Sequence, residues 1–545
     1  MKTPIPQADA IHQSKAVFNL NRRRALKCLL GVGGLAAAVG PGVYAAETTA
    51  RGGRVSVRDY GAVGDGTRLD TRSLQAAIDA CAGDGGGTVY FPPGRYLSGT
   101  LFLKSHITLH LDGGATLLGS TKLDDYPSTV PAVRSYTDNY TERSLVYAEN
   151  LEHIAFEGRG TIDGQGGEFK GSYKVRPYLL RVIACREVSM RGLTLRDSPM
   201  WVQHYLACEG VCIDGIRVES TCNSNNDGID IDGCERVRIA NCDIRSGDDA
   251  LVLKSTLERP CRNVVVTNCV LSSLCNAFKL GTESNGGFEN IVMSNCAIYD
   301  TRISGIALEL VDGGTLEQVS ISNVTMHNTK SAIFIRLGER ARPFKPGMVP
   351  IGAGRLRHVR ISDVQAFGAD AMGCSITGLP GHPVEDVLLE NITVSFAGGG
   401  KVKDLAGVPE KEKAYPEYAM FGLLPAYGFY CRHARGLRLS RIQVSTVQPD
   451  PRPALVCEDV SGLEVFGWRG AANDGPAIVL QDVRDVLVHG CQAAPGTGAW
   501  LWVGGNTSAA IKLVANELSA ASQAVELGQD VPAQAVMADG EKLIR

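Results

Sequence analysis

Ile239-Ala240-Asn241-Cys242-Asp243-Ile244, Val266-Thr267-Asn268-Cys269-Val270-Leu271 and Met293-Ser294-Asn295-Cys296-Ala297-Ile298 are three copies of one phrase. In each, apolar residues alternate with others around a central asparagine. Period-two alternation marks a strand rather than a helix. Looser copies extend the series in both directions. Met190 to Leu195 turns on Gly192, Ile213 to Val218 on Gly215, Ile321 to Met326 on Asn323 and Ile361 to Ala366 on Asp363. Leu389 to Val394 turns on Asn391 and Leu439 to Val444 on Arg441. Where nothing is inserted, the centres lie about 23 to 28 residues apart, a period that signals a solenoid.

One short strand per period, stacked in parallel register with turns between, predicts an all-β fold: a single-stranded right-handed parallel β-helix. The spacing of a leucine-rich repeat is absent. Asn241, Asn268 and Asn295 should then form an amide ladder, with Cys242, Cys269 and Cys296 stacking as small apolar residues. Leu74 to Cys81 has helical spacing and predicts a helical cap within residues 55–100, covering an end that would otherwise expose core and strand edges. The rhythm breaks twice, predicting inserted loops over residues 338–354 and 398–427, either walls of a cleft or decoration.

The N-terminus reads differently. Arg22-Arg23-Arg24 precedes an apolar stretch from Cys28 to Val39, then small residues at Ala45-Ala46. This resembles a twin-arginine export signal over residues 1–46, leaving residues 47–545 as the catalytic β-helix. The expectation is a periplasmic or secreted monomer, free of the membrane once the signal is removed. The formal net charge of -3 gives no electrostatic footprint for nucleic acid. Of 16 cysteines, Cys28 would leave with the signal, and the odd remainder argues against a complete disulfide framework.

The densest acidic stretch is Asn225-Asn226-Asp227-Gly228-Ile229-Asp230-Ile231-Asp232, followed by Gly247-Asp248-Asp249. Asp227 and Asp248 are nearly one period apart, so adjacent coils, about 4.8 Å apart, bring several carboxylates together. Crowded carboxylates raise one another's pKa, so that one can hold a proton while another stays ionised. Asp230 and Asp232 alternate with isoleucines, and facing water is an equal reading for them.

These segments resemble family 28 glycoside hydrolases, the polygalacturonase and rhamnogalacturonase group. Asp59-Tyr60-Gly61-Ala62-Val63-Gly64-Asp65-Gly66 and Val89-Tyr90-Phe91-Pro92-Pro93-Gly94 resemble the family's opening, and Asn225-Asn226-Asp227 its Asn-Thr-Asp. The resemblance spans roughly residues 55 to 450. It implies hydrolysis of α-glycosidic bonds in a pectic polysaccharide without a cofactor or metal. Asp248 would be the general acid, with Asp227 and Asp249 positioning and activating water, and Asn225 and Asp230 near the substrate. It also implies inversion at the anomeric carbon, whereas coil spacing alone favours the shorter retaining separation.

Two motifs depart from the family. Its Gly-His-Gly corresponds to Cys275-Asn276-Ala277, and its Arg-Ile-Lys to Ala307-Leu308-Glu309. Glu309 would repel a sugar carboxylate. The subsite then takes a neutral sugar, draws a cation from elsewhere, or belongs to a less active protein. Candidate cations are Lys254, Lys279, Arg302, Arg336 and Arg340. The departures shift expectation from plain polygalacturonan toward rhamnogalacturonan or another branched pectin. His204 and His433 read as structural. Alternatives are a calcium-dependent polysaccharide lyase and a non-catalytic carbohydrate-binding β-helix.

Overall fold

A computed structural model describes residues 53–135, 140–401, 407–470, 475–532 and 534–542. The expected export signal lies outside the described residues. From Gly53 onward the chain winds as a right-handed parallel β-helix. Each coil gives strands to three parallel stacks, so the expectation of one strand per period is corrected to three. In one coil these are Ile229–Asp232, Glu235–Ala240 and Asp243–Ser246.

The phrase that announced the fold is therefore not a single straight strand. Its centre is a corner between two stacks. Asn241, Asn268 and Asn295 have φ of 59°, 55° and 56°, the left-handed conformation that asparagine tolerates better than most side chains. The amide ladder is present: Asn268 donates to Asn241 Oδ1 at 3.3 Å, and Asn323 to Asn295 Oδ1 at 2.8 Å. Cys242, Cys269 and Cys296 line up beside it, buried. All described cysteines are unpaired thiols.

One stack carries the acidic motifs. Its strands include Gln203–Leu206, Ile229–Asp232, Leu251–Ser255 and Phe278–Ser284, continued by the last parts of Phe288–Leu310 and Thr315–Leu337. Ile229, Ile231, Leu251, Leu253, Phe278, Leu280, Ile306 and Leu308 point inward and are fully buried, and removing these side chains from water is what holds the coils together. Their neighbours Asp230, Asp232, Lys254, Lys279 and Glu309 must then point outward. Gly228 joins Asp227 to its strand. A Cβ there would lie 2.4 Å from the Ala250 carbonyl oxygen, so only glycine lets the coils close at this point.

Helix α1, Thr71–Gly83, buries Leu74, Ala77, Ile78 and Cys81 against the end of the solenoid, as its spacing predicts. The cap is not purely helical, because Gly53–Ser56 already pairs with Gly87–Phe91. Coils also continue past the last recognised phrase, through Ile478–Gln481 to Gln523–Leu527, with Gly467 and Gly490 at the left-handed corners. Among the described residues no helix is long and apolar enough to cross a membrane.

Both predicted insertions are irregular in their described residues. The second folds back over the outward face of the acidic stack. Its Val408, Met420, Phe421 and Leu424 form a separate apolar cluster with Phe334, Tyr430, Val456 and Val479. This insertion packs against that face and brings Tyr415 to Lys279.

Candidate active site

Asp227 precedes Ile229–Asp232, and Asp248 and Asp249 precede Leu251–Ser255 one coil later. Asn226 fixes the first turn. It is fully buried, its amide donates to the Ser198 and Met200 carbonyls, and its oxygen accepts from the Asn223 N–H. The second turn is pinned by the Ser246 and Ser273 hydroxyls, both donating to the Asp248 carbonyl at 2.5 Å. Asp248 is half-buried, while Asp227 and Asp249 are each 3 % exposed.

Two lysines stand among these carboxylates. Lys254 Nζ lies 3.6 Å from each of Asp227, Asp230 and Glu283. It also lies 4.7 Å from the centre of the Trp201 ring, a cation–π contact. Lys279 Nζ lies 3.2 Å from Asp249 and 3.4 Å from Glu309. Both lysines sit on the outward face of the stack and both are buried. Burial opposes their charge, but the surrounding carboxylates outweigh it and hold both protonated.

The carboxyls divide into two kinds. Burial raises Asp227 far above the usual range, and repulsion from Asp230 and Asp248 adds to it. Burial likewise raises Asp230, with Lys254 opposing. Asp248 is raised by burial and by Asp249. Burial pushes Asp249 up too, but Lys279, Lys254 and an Asn276 amide bond of 2.8 Å outweigh it, leaving Asp249 below the usual range. The cluster thus sets a reachable carboxyl raised above the usual range beside one held below it, the opposed pairing that general acid–base catalysis uses.

Asn276 does more than replace a histidine. Its backbone N–H and its amide both donate to Asp249, while its own oxygen accepts from the Ser304 N–H at 3.1 Å. Glu309 is not an unopposed negative charge either, because Lys279 is beside it. Burial still lifts its carboxyl to about 7. Asp230 and Asp232 do not face water: both are fully buried. Asp232 accepts from the Thr256 N–H at 2.9 Å and the Thr256 hydroxyl at 2.7 Å. His204 lies 3.3 Å from Asp232 and packs edge-on against Trp201 at 5.1 Å, and His433 bridges Asp459 and Glu410.

Four expected contacts fall elsewhere or at the edge. Arg336 is buried, and its guanidinium donates to the Gly378 and Glu410 carbonyls, tying the second insertion to the coil. Arg302 is exposed and lines a cavity that none of the acidic cluster's side chains enters. Asn225 is half-buried at the edge of the site, its oxygen accepting from Arg176 at 2.9 Å. Arg340 is held by Asp312 and reaches the Tyr415 ring.

Glu283, Trp201 and Tyr415 belong to the site and were not anticipated. Strict alternation from Lys279 through Gly281 would have pointed to Glu283. Nothing in the repeat could have placed Tyr415, which comes from the second insertion to meet Lys279 at 3.3 Å. Asp248, Asp249 and Cys275 bring potential ligand atoms within 4.8 Å of one another. A calcium ion needs six to eight oxygens, and here one donor is a thiol while Asp249 is already engaged by Lys279 and Asn276, so the residues do not fit that ion.

A β-helix whose outward face sets a raised carboxyl beside a lowered one has the parts of an acid–base hydrolase site. The family described as Glycosyl hydrolases family 28 matches residues 81–414, more than half of the chain. The chain belongs to this family and is a glycosyl hydrolase. It is 30% identical over 376 residues to a probable polygalacturonase of Vitis vinifera, covering 64% of this chain and 75% of that protein. The Yersinia enterocolitica family 28 exopolygalacturonase superposes with a TM-score of 0.60 at 19% identity, covering 76% of this chain and 78% of that one. The Thermotoga maritima exopolygalacturonase gives 0.57 at 23%, covering 72% and 91%. These two support the fold.

Proposed function

We infer that the protein hydrolyses α-glycosidic bonds in a galacturonate-containing pectic backbone, either galacturonan or rhamnogalacturonan, with inversion. Asp248 protonates the leaving oxygen. Asp249 takes the proton of the attacking water, and Asp227 helps hold that water. The observation that carries this reading is the opposite displacement of two adjacent carboxyls: Asp248 raised, and Asp249 held down by Lys279 and Asn276. Lys279 supplies from the neighbouring coil the positive charge that Ala307 and Glu309 do not. With Lys279 beside it and a carboxyl titrating near 7, Glu309 can accept a proton when a uronate approaches. We place the protein outside the cytoplasm, exported by its N-terminal segment, and working as a monomer.

The test is product analysis on polygalacturonate, rhamnogalacturonan and xylogalacturonan. New reducing ends of inverted configuration, without unsaturated products, are expected from at least one of the first two. Products absorbing in the ultraviolet would mean elimination and overturn the reading.

A further inference from the structure

A cavity lies against the turn that carries Asp248, and none of the acidic cluster's side chains lines it. Its volume is about 510 Å³, within the range of small-molecule and saccharide sites. Five successive coils line it, from Thr221 to Lys330. Arg245 and Ser272 are register partners on adjacent strands, and Tyr299 follows on the next coil. Arg302, Asn328 and Lys330 complete one side.

Its chemistry is that of an anionic-sugar site. Arg245 and Arg302 are exposed, and neither has an ion-pair partner within 4 Å among the described residues. Glu219, the register partner of Arg245, pairs with Arg217 at 2.8 Å; Asp300 itself lines the cavity and accepts from Asn328 at 2.7 Å, so the lining sets Arg245, Arg302 and Lys330 against one carboxylate. Lys330 is paired at the rim with Asp370 at 3.3 Å. Two guanidinium forks can each take a carboxylate through two parallel bonds. Tyr299 offers a 36 % exposed ring as a flat apolar surface beside them, and Ser272 and Asn328 offer groups for sugar hydroxyls.

We propose that this cavity is a secondary binding site for a uronate-bearing stretch of polysaccharide, held through Arg245, Arg302 and Tyr299. It is separate from the acidic cluster but shares a wall with it. Ser246 and Ser273 both line the cavity and both bond the Asp248 carbonyl. A chain held here keeps the polymer beside the cleavage site after one cut. The idea rests on the pectic reading for the identity of the polymer, not for the existence of the site.

Affinity electrophoresis through gels containing polygalacturonate tests it, using the full chain carrying Asp248→Asn so that the gel is not consumed. The single variant should be retarded, and retardation should weaken as salt rises. Adding Arg245→Ala and Arg302→Ala should weaken retention at least fivefold, as should adding Tyr299→Ala alone. A gel of neutral galactan should retard none of them. Equal retention with and without Arg245 and Arg302, or equal retention by neutral galactan, would overturn the proposal. Failure of the wild-type protein to release reducing sugars would sink the proposed function while leaving this measurement readable.

Discussion

Lys279 reaches across one coil step to within 3.2 Å of Asp249. It does so from the strand beside Ala307-Leu308-Glu309, and it is the largest of the contacts, with Lys254 and Asn276, that hold Asp249 below the usual range. Lys279→Met removes the charge while keeping much of the stem. Asp249 should then titrate higher, because burial and neighbouring carboxylates no longer meet their main opposition. If Asp249 must be ionised to accept a proton, the acid limb of kcat/KM should move to higher pH, and kcat at neutral pH should fall about a hundredfold. Both follow from a pH–rate profile. An unmoved acid limb would separate Lys279 from Asp249.

Asp248 governs the other limb. Its raised carboxyl is needed protonated, so activity should decline as pH climbs through its titration. Asp248→Asn keeps the shape and removes the proton. The expected result is a loss of kcat of about a hundredfold or more, with KM little changed and the alkaline limb abolished.

Much of this was legible in the sequence for physical reasons. The centre of each phrase is a left-handed corner, filled most often by Asn or Gly, so the repeat shows wherever that corner does. Asp248 and Asp249 are adjacent in sequence, and Asp227 is nearly one coil away, so the helical period alone gathers them. Arg336 was misplaced because alternation sets it outward beside Glu309, its register partner, yet cannot reveal that an insertion lies on top. Arg302 sits past a corner, where alternation no longer tells one flank from another. Tyr415 was invisible because its contact with Lys279 spans 136 residues and depends on how a non-repeating loop folds.

Arg336 therefore makes a prediction about the wall rather than the chemistry. Arg336→Ala should free the Glu410 carbonyl and loosen the second insertion. Limited proteolysis should cut within residues 398–427 faster than in the wild type. Activity on polymer should fall mainly through KM, as the wall that carries Tyr415 loses its anchor.

Asn276→Ala removes a buried link between two coils. The Ser304 N–H loses its acceptor and Asp249 loses a donor. An unsatisfied buried donor costs about 1 to 3 kcal/mol. Chemical denaturation should show a loss in that range, and the acid limb of activity should shift upward as it does for Lys279→Met, though less. Asn276→His, restoring the family's residue type, should recover activity only if an imidazole can reach Asp249 from the same strand.

Glu309 gives stability its own pH dependence. Its carboxyl titrates near 4.5 when exposed and near 7 in the fold, raised by burial despite Lys279. A carboxyl raised on folding favours the native state below its unfolded value, and that contribution is lost as pH climbs through its folded value. Between about pH 4.5 and pH 7 this single group should therefore remove about 3 kcal/mol of stability, since each unit is worth about 1.4 kcal/mol. Asp249 and Glu283 act in the opposite sense. Both are held below their usual range, so their contribution is present at neutral pH and disappears in acid. Glu309→Gln isolates the first effect. Its melting temperature should lie below that of the wild type near pH 4.5, where the protonated acid is lost, or match it. Near pH 8 it should rise above the wild type, because no buried charge is demanded. A constant difference between the two proteins across that window would mean that Lys279 keeps Glu309 ionised throughout, and that the subsite beside Asp249 is fixed in charge rather than adjustable.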